Sequence, residues 1–289
     1  MRKHSRFALA VAFVLLAQAQ AQAQSFVNYT GGSYNQNFDS LPFSNNVSVS
    51  EANPVTINGQ TYFFNNASLD FATAIDGTGP TNSSSGGLGL FNTMSGWYGS
   101  GTVTTRVGAQ PGDQTQGGII SFGGLTSGNR ALGLQSANGS GITIFGLKLV
   151  NDTGSGISAI NLSFVGELWR QATAKTINFA YVVTNMAASI PTSGATPLGS
   201  ISFTGGTAGP VDGTLAINET NINLNAVSIS DWGSNQALWL TWQTATAAGS
   251  SQGIAIDNLS FSAVSVPEPS TLTMVGLGML GILSLRRRR

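Results

Sequence analysis

Short runs of apolar and β-branched residues recur along most of the chain, and Gly, Asn, Ser or Pro separates them. Within residues 161–169, Leu162, Phe164 and Leu168 fall on one face of an extended strand, with polar residues between them. Runs of this kind cover residues 142–150, 157–168, 176–183, 201–203, 215–224, 237–242 and 254–261. Regular short strands with turn residues between them predict an all-β fold, a single β-sandwich of jelly-roll type.

Residues 77–128 have the weakest pattern of alternating apolar and polar positions. They are rich in Gly and Ser, and they predict long loops with a few strands. Phe91, Trp97, Tyr98 and Phe122 recur too often for a disordered tether. We therefore place this segment inside the β domain, which we expect to span residues 25–265.

The N-terminus has the pattern of a secretory signal. Arg2, Lys3 and Arg6 precede an apolar run over residues 7–17, and small-residue cleavage sites follow. We expect a signal peptide over residues 1–23 that is cleaved after Ala23, with Ala21 as the alternative. A membrane anchor is the competing interpretation, but the run is short for a bilayer span, which needs about 20 residues.

The C-terminus combines three features in order. Pro267, Glu268 and Pro269 precede an apolar stretch over residues 271–285, and the chain closes with the basic cluster Arg286, Arg287, Arg288 and Arg289. The stretch predicts a short hydrophobic helix, and the arginines predict a cytoplasmic end. An ordinary tail anchor would share the last two features.

Residues 266–289 resemble the PEP-CTERM sorting signal of Gram-negative bacteria. The resemblance implies processing by an exosortase near Pro-Glu-Pro, after transient anchoring in the inner membrane. It also implies a final location at the cell surface or in the extracellular matrix. Proteins with this signal are associated with exopolysaccharide and biofilm formation, so exopolysaccharide is an implied partner.

Composition narrows the chemistry that the chain can perform. Charged residues make up only 8% of the chain, it has no Cys, and its single His is His4, inside the expected signal peptide. Cys-based and His-based catalysis and His-ligated zinc are therefore not expected in the mature protein.

The charges are unevenly distributed. Seven of the 12 basic residues lie at the two ends, so 12 − 7 = 5 basic and 12 − 1 = 11 acidic residues remain between them. A net negative middle disfavours nucleic acid as a partner, since phosphate binding requires clustered Lys and Arg.

A second resemblance covers most of the middle of the chain. Its segments are residues 37–42, 96–97, 129–133, 151–154, 166–170, 238–242 and 253–261. In this order they resemble an extracellular β-sandwich module of bacterial surface proteins, and the last segment also resembles the final strand of jelly-roll carbohydrate-binding modules.

Asp39 and Asp257 are candidate metal ligands. Asp39 lies near the first strand and Asp257 lies in the last, and these strands are neighbours in many jelly rolls. Calcium takes six to eight oxygen ligands, and two Asp with backbone carbonyls supply part of such a set. The alternative is structural: Asp39 caps a turn and Asp257 bonds to a backbone amide or an Arg.

Aromatic residues are the candidate sugar-binding groups. Trp97 with Tyr98 lies in a Gly-rich segment and is expected to be exposed. Glu167 and Trp169 share one strand face, where Trp169 can stack on a sugar. Alternatively, Trp169 fills the core and Glu167 pairs with Arg130 or Arg170. Trp239 and Trp242 are expected to face opposite ways, and we include Trp242 among the binding candidates.

The sequence supports a non-enzymatic surface or matrix protein, with a specific carbohydrate-binding module, stabilised by calcium, as the alternative. A glycosidase would need two carboxyl groups about 5 to 10 Å apart. Glu51, Glu167 and Glu219 are widely separated in the sequence, and no spacing identifies a pair. We therefore expect no enzymatic activity.

Overall fold

The structure is a computed structural model of the 289-residue chain. It describes residues 26–41, 48–49, 55–57, 60–62, 69–70, 94–101, 106–115, 117–124, 128–137, 141–187, 189–244 and 250–265. The expected signal peptide, the Pro-Glu-Pro segment, the apolar stretch and the arginine cluster lie outside these ranges. Within them, no helix is long and apolar enough to cross a membrane.

Strands account for nearly all regular structure in these ranges, so the all-β prediction is confirmed. They are β1 (Val27–Tyr29), β2 (Ser33–Gln36), β3 (Ser48–Val49), β4 (Val55–Ile57), β5 (Gln60–Tyr62), β6 (Leu69–Asp70), β7 (Trp97–Ser100), β8 (Arg106–Gln110), β9 (Gly118–Phe122), β10 (Ala131–Gln135), β11 (Thr143–Asn151), β12 (Ile157–Gln171), β13 (Thr176–Asn185), β14 (Thr196–Ser202), β15 (Gly209–Pro210), β16 (Glu219–Trp232), β17 (Gln236–Thr244) and β18 (Gly253–Ser265). A 3₁₀ turn, η1 (Ala216–Asn218), precedes β16.

The strands form two large sheets that pack as a sandwich, and β4 and β5 form a separate hairpin. The first sheet has the order β14-β13-β17-β11-β7-β6, and β1 pairs with β11 beyond the end of β7. The second sheet has the order β15-β12-β18-β10-β9-β8-β3, with β16 on the edge of β12 and β2 on the edge of β18. β7 pairs with β11 in the first sheet, and β8 pairs with β9 in the second.

Alternating side chains form the core between the sheets. Along β12, Leu162, Phe164 and Leu168 face the first sheet, as their spacing predicts. β11 differs, because all nine of its residues are buried and its sequence is nearly continuously apolar. A strand in the middle of a sheet that is covered on both faces loses the polar alternation of a half-exposed strand.

The outer faces of the two sheets also carry buried apolar clusters. On the first sheet, Tyr98 and Trp239 flank the fully buried Lys148, whose ammonium nitrogen lies 5.8 Å and 5.4 Å from the two ring centroids. Aromatic faces attract a cation at such distances. On the second sheet the cluster consists of Ile120, Phe122, Ala131, Trp169 and Ala255.

The β12–β18 pair organises the second sheet. Ser163 is opposite Ser260 and Val165 is opposite Asp257, so β18 has one extra residue in this interval. The extra residue is Asn258, which has a φ of 50°. This β-bulge places Asp257 on the outer face while Leu259 remains in the core.

Candidate functional site

Trp97 and Trp242 lie in the core between the sheets, and the expectation that Trp97 and Tyr98 are exposed is wrong. Trp97 and Tyr98, which both lie on β7, have an exposed fraction of 0%. β7 pairs with β11, so Trp97 points inward and Tyr98 points into the outer cluster of the first sheet. The Trp97 ring stacks on that of Trp242 at a centroid distance of 5.9 Å, and its Nε1 donates to the Tyr34 hydroxyl at 2.9 Å.

Trp239 and Trp242 point to opposite faces of β17, as the sequence predicted. Trp242 packs in the central core, and Trp239 packs with Tyr98 on the outer face of the first sheet. Neither of them points to solvent, because both are fully buried. Trp242 lies between the two sheets and Trp239 lies in a covered outer cluster, so neither ring is available as a sugar platform.

Glu167 and Trp169 share the outer face of β12, in agreement with their spacing. The Trp169 Nε1 donates to Glu167 Oε2 at 2.7 Å. Trp169 is 4% exposed and Glu167 is 2% exposed. The Trp169 ring is therefore too buried to stack on a sugar, contrary to the expectation. Nor does Trp169 fill the central core, because its neighbours are the apolar residues of β9, β10 and β18 on the outer face.

Arg130 and Arg170, the expected partners of Glu167, form hydrogen bonds elsewhere. Arg130 donates to the Ser121 side chain at 3.0 Å and to the carbonyl of Gly124 at 3.1 Å. Arg170 donates to the carbonyl of Gly112 at 2.9 Å. The partner of the buried Glu167 carboxyl group is therefore an indole and not a cation.

One loop covers the indole of Trp169, and a second loop approaches the Trp169 backbone. A methyl group built on Gly213 would overlap the Trp169 ring, and one on Gly112 would overlap the Trp169 carbonyl oxygen. The backbone N–H of Val211 donates to the same carbonyl at 3.0 Å. Glycine at these two positions lets the loops approach closely enough to exclude solvent.

Burial raises the pKa of Glu167 to about 8, and the carboxylates of Asp257, Glu219 and Asp212 raise this pKa further. The hydrogen bond from Trp169 lowers it. Removing a carboxylate from water disfavours its charged form, and a single indole donor compensates for only part of that cost. Glu167 is therefore largely a neutral acid at pH 7.

Asp257 is a second buried carboxyl group, 3% exposed. It accepts hydrogen bonds from the backbone N–H and the side-chain amide of Asn258, at 2.6 Å and 3.0 Å. Burial raises the pKa of Asp257 to about 7, the backbone hydrogen bond lowers it, and the charges of Asp39 and Glu219 raise it.

Asp39 lies near Asp257, whose pKa its charge raises, but the strand that pairs with the last strand is β2 and not the first strand, β1. β2 pairs with the end of β18, and Asp39 follows β2 by three residues. The exposed Asp39 side chain accepts hydrogen bonds from the Asn37 amide at 2.7 Å and from the Arg130 backbone N–H at 3.3 Å. Among the residues that the structure describes, no group of three or more Asp, Glu, His or Cys residues could hold a metal ion.

The structure brings together two carboxyl groups that sequence reasoning did not pair. Glu167 is opposite Ala255, and Asp257 is opposite Val165, so the two acids are diagonal neighbours on one sheet face. Diagonal side chains of this kind lie about 7 to 8 Å apart. Only the register of β12 and β18 reveals the pair, because the two residues are separated by 90 positions in the sequence.

The fold is thus an all-β sandwich with two buried acids on its outer face, and comparison with known proteins identifies the C-terminal segment. Residues 265–289 match the model of the PEP-CTERM protein-sorting motif. The chain therefore carries the signal of an exported protein that an exosortase sorts. No curated protein matches the chain.

Several solved structures resemble the sandwich at low similarity. The enzymatically active domain of tailspike protein 4 from bacteriophage CBA120 is 12% identical with a TM-score of 0.31, and the match covers 58% of this chain but only 19% of that one. TmCBM61, solved with β-1,4-galactotriose, is 12% identical, with a TM-score of 0.29 and coverage of 58% and 88%. A family 11 carbohydrate-binding module from Clostridium thermocellum is 11% identical, with a TM-score of 0.28 and coverage of 59% and 90%. At these scores no ligand is carried over to this chain.

Proposed function

We propose that the chain is a non-enzymatic protein of the Gram-negative cell surface or extracellular matrix, associated with exopolysaccharide. The carrying observation is the PEP-CTERM motif at residues 265–289, which begins where strand β18 ends. In this proposal residues 1–23 are the signal peptide, residues 25–265 are the exported domain, and residues 266–289 are the sorting signal. The exosortase acts near Pro267–Pro269 after transient anchoring in the inner membrane.

Burial of the reactive groups supports a non-catalytic role. A glycosidase needs two carboxyl groups that flank an accessible substrate. Glu167 and Asp257 are 2% and 3% exposed, and the loop at Gly213 covers the indole that binds Glu167. These two acids are therefore better suited to a structural role than to proton transfer to a substrate.

Sorting can be tested in a host that carries an exosortase. We expect the wild-type chain to lose its C-terminal segment and to appear in the surface or matrix fraction. Glu268→Ala should leave the uncleaved chain in the inner membrane, because the motif is altered beside the cleavage site. A matched control is Glu219→Ala, which changes the same residue type within the β domain. Uncleaved wild-type protein in the host, or normal sorting of Glu268→Ala, would contradict the proposal.

A calcium-stabilised carbohydrate-binding module is the second candidate. The observation that favours it is the proximity of Asp39 to Asp257, whose pKa the Asp39 charge raises. Two carboxylates that repel each other can share a divalent cation, and calcium accepts backbone carbonyls as its further ligands. Addition of calcium to chelator-treated protein should then raise the melting temperature, and an unchanged melting temperature would exclude the site.

A further inference from the structure

The outer face of the second sheet carries an exposed surface of uncharged polar side chains. They lie in two rows that cross the strands in the order β16-β12-β18-β2. We call this surface the amide–hydroxyl face, and its residues are Asn223, Ser163, Ser260 and Asn35 in one row and Asn161, Ser262 and Ser33 in the next.

Strand register places these residues on one face. Ser163 is directly opposite both Asn223 and Ser260, and Ser260 is opposite Asn35. Their sequence neighbours, including Leu162 and Phe261, point into the core. Successive residues of a strand alternate between faces, so the polar residues point outward. Asn223 and Asn35 are exposed, and Ser163 and Ser260 are half-buried.

Within the described ranges, the side chains of the longer row form no hydrogen bonds to other residues. In the second row, Asn161 donates to Ser262 at 3.0 Å and accepts from the backbone N–H of Ala226 at 2.7 Å. For the residues that the structure describes, no intramolecular hydrogen bond involves the side chains of the first row. Two amides and two hydroxyls thus remain free to bind a ligand.

Two exposed aliphatic side chains, which we call the rim, lie on the loop before β16, beyond the Asn223 end of the face. The loop of residues 211–218 displays Ile217 at 87% exposure and Leu215 at 53%. Hydrogen bonds hold this loop in place, including one from the Asn218 amide to the Asp212 carbonyl at 2.7 Å. Large apolar side chains held outward on an ordered loop are an informative feature of a surface. Asn223 follows η1 along β16 by five residues, or about 17 Å of strand.

We propose that the amide–hydroxyl face, with its Leu215–Ile217 rim, is the binding surface for a neutral, extended polysaccharide. This inference rests on the proposed association with exopolysaccharide. It assigns polysaccharide binding to this face and not to the buried tryptophans that the sequence suggested.

The chemistry of the face favours an uncharged, hydroxyl-rich polymer. Neither row contains a Lys, Arg, Asp or Glu, so an anionic polymer finds no counter-charge there. Amides and hydroxyls both donate and accept, which matches the hydroxyl groups of sugars. Neighbouring strands lie about 4.8 Å apart, a spacing close to the length of one pyranose unit. The aliphatic rim can contact the C–H faces of sugar rings.

Affinity electrophoresis of the full chain tests the inference directly. The probes are hydroxyethyl cellulose and dextran as neutral polymers and alginate as an anionic one, each at 50 mM and 500 mM NaCl. We expect retardation by a neutral polymer that does not weaken with salt, because no charge contributes to it. The double variant Asn35→Ala/Asn223→Ala should bind about tenfold or more weakly, because two hydrogen-bonding amides are removed.

The matched control is Asn178→Ala/Ser200→Ala. These two residues form an exposed, directly opposite amide–hydroxyl pair on β13 and β14 of the first sheet. The control should bind like the wild type, and thermal melting should show that both double variants are folded. Ser163→Arg, which puts a long cation in the middle of the face, should reduce binding further.

Each of several outcomes would overturn the inference. These are equal binding by the two double variants, preference of the wild type for alginate, and retardation by none of the polymers. A change of oligomeric state in Asn35→Ala/Asn223→Ala without loss of polymer binding would instead assign the face to self-association. Fractionation of cells that express the same variants separates this from the proposed function, since normal surface sorting with no polymer binding rejects only the inference.

Discussion

Replacement of Glu167 by Gln should change how stability depends on pH. In the wild type the pKa of Glu167 is raised from 4.5 to about 8 by burial and by three neighbouring carboxylates. The folded state therefore binds the proton more tightly than the unfolded state does. A raised carboxyl pKa stabilises the protein fully below the unfolded value, and that contribution is lost as the pH rises towards the folded value.

The magnitude follows from the shift in pKa. Each pH unit between about 5 and about 8 reduces the free energy of unfolding by up to about 1.4 kcal/mol, which amounts to about 3 kcal/mol over this range. The Glu167→Gln variant has no ionisable group at position 167, and its side-chain carbonyl can still accept the hydrogen bond from Trp169. At pH 5 the variant should be less stable by about 1 kcal/mol, because its new amide N–H groups need partners. At pH 8 it should be more stable than the wild type by about 2 kcal/mol.

Urea unfolding followed by tryptophan fluorescence at pH 5, 6, 7 and 8 measures this difference. All solutions should contain a chelator, so that a bound cation does not alter the result. The control is Asp152→Asn, the same acid-to-amide change at a residue that is exposed in the turn after β11. If wild-type stability is constant or rises from pH 5 to pH 8, or if Glu167→Gln shows the same slope, the reasoning is refuted.

Four further predictions concern the core, the covering loop and the acidic residues. Trp242→Ala should destabilise the domain by about 3 to 5 kcal/mol in urea unfolding, because it opens a cavity at the centre of the aromatic core. Gly213→Ala should cost about 1 to 3 kcal/mol, since its methyl group would overlap the Trp169 ring, and a fully stable variant would show that the loop can move aside. Trp169→Phe removes the hydrogen bond to Glu167, so unfolding should show a loss of about 1 to 3 kcal/mol at pH 8. If calcium binds at Asp39 and Asp257, Asp39→Asn should abolish any rise in melting temperature on adding calcium, and an undiminished rise would place the ion elsewhere.

Hydrophobic spacing was sufficient to predict the class of fold. Alternation along residues 161–169 predicted which face of β12 is buried, and the odd–even separation of Trp239 and Trp242 predicted their opposite directions. Local pattern succeeds here because side chains alternate across a strand wherever it lies in a sheet. The C-terminal motif is equally local, and a family model identifies it from sequence alone.

Exposure of the candidate residues could not be predicted in the same way. Glycine around Trp97 suggested an exposed loop, but the segment is a strand that is buried on both faces. Trp169 alternates as expected, but a loop distant in the sequence covers its ring at Gly213. Whether an outer face is covered depends on segments far away in the sequence. The hydrophobic pattern of the strand itself therefore cannot predict it.

Sequence alone thus determined the all-β class, the directions of several side chains and the sorting signal, because each depends on neighbouring residues in the chain. Tertiary structure decided the chemistry of the surface. The register of β12 and β18 paired Glu167 diagonally with Asp257, and it aligned Ser163 with Ser260 at the centre of a polar row that crosses four strands. Register depends on the packing of a whole sheet and on one bulge at Asn258, since an offset of one residue exchanges the buried and the exposed face.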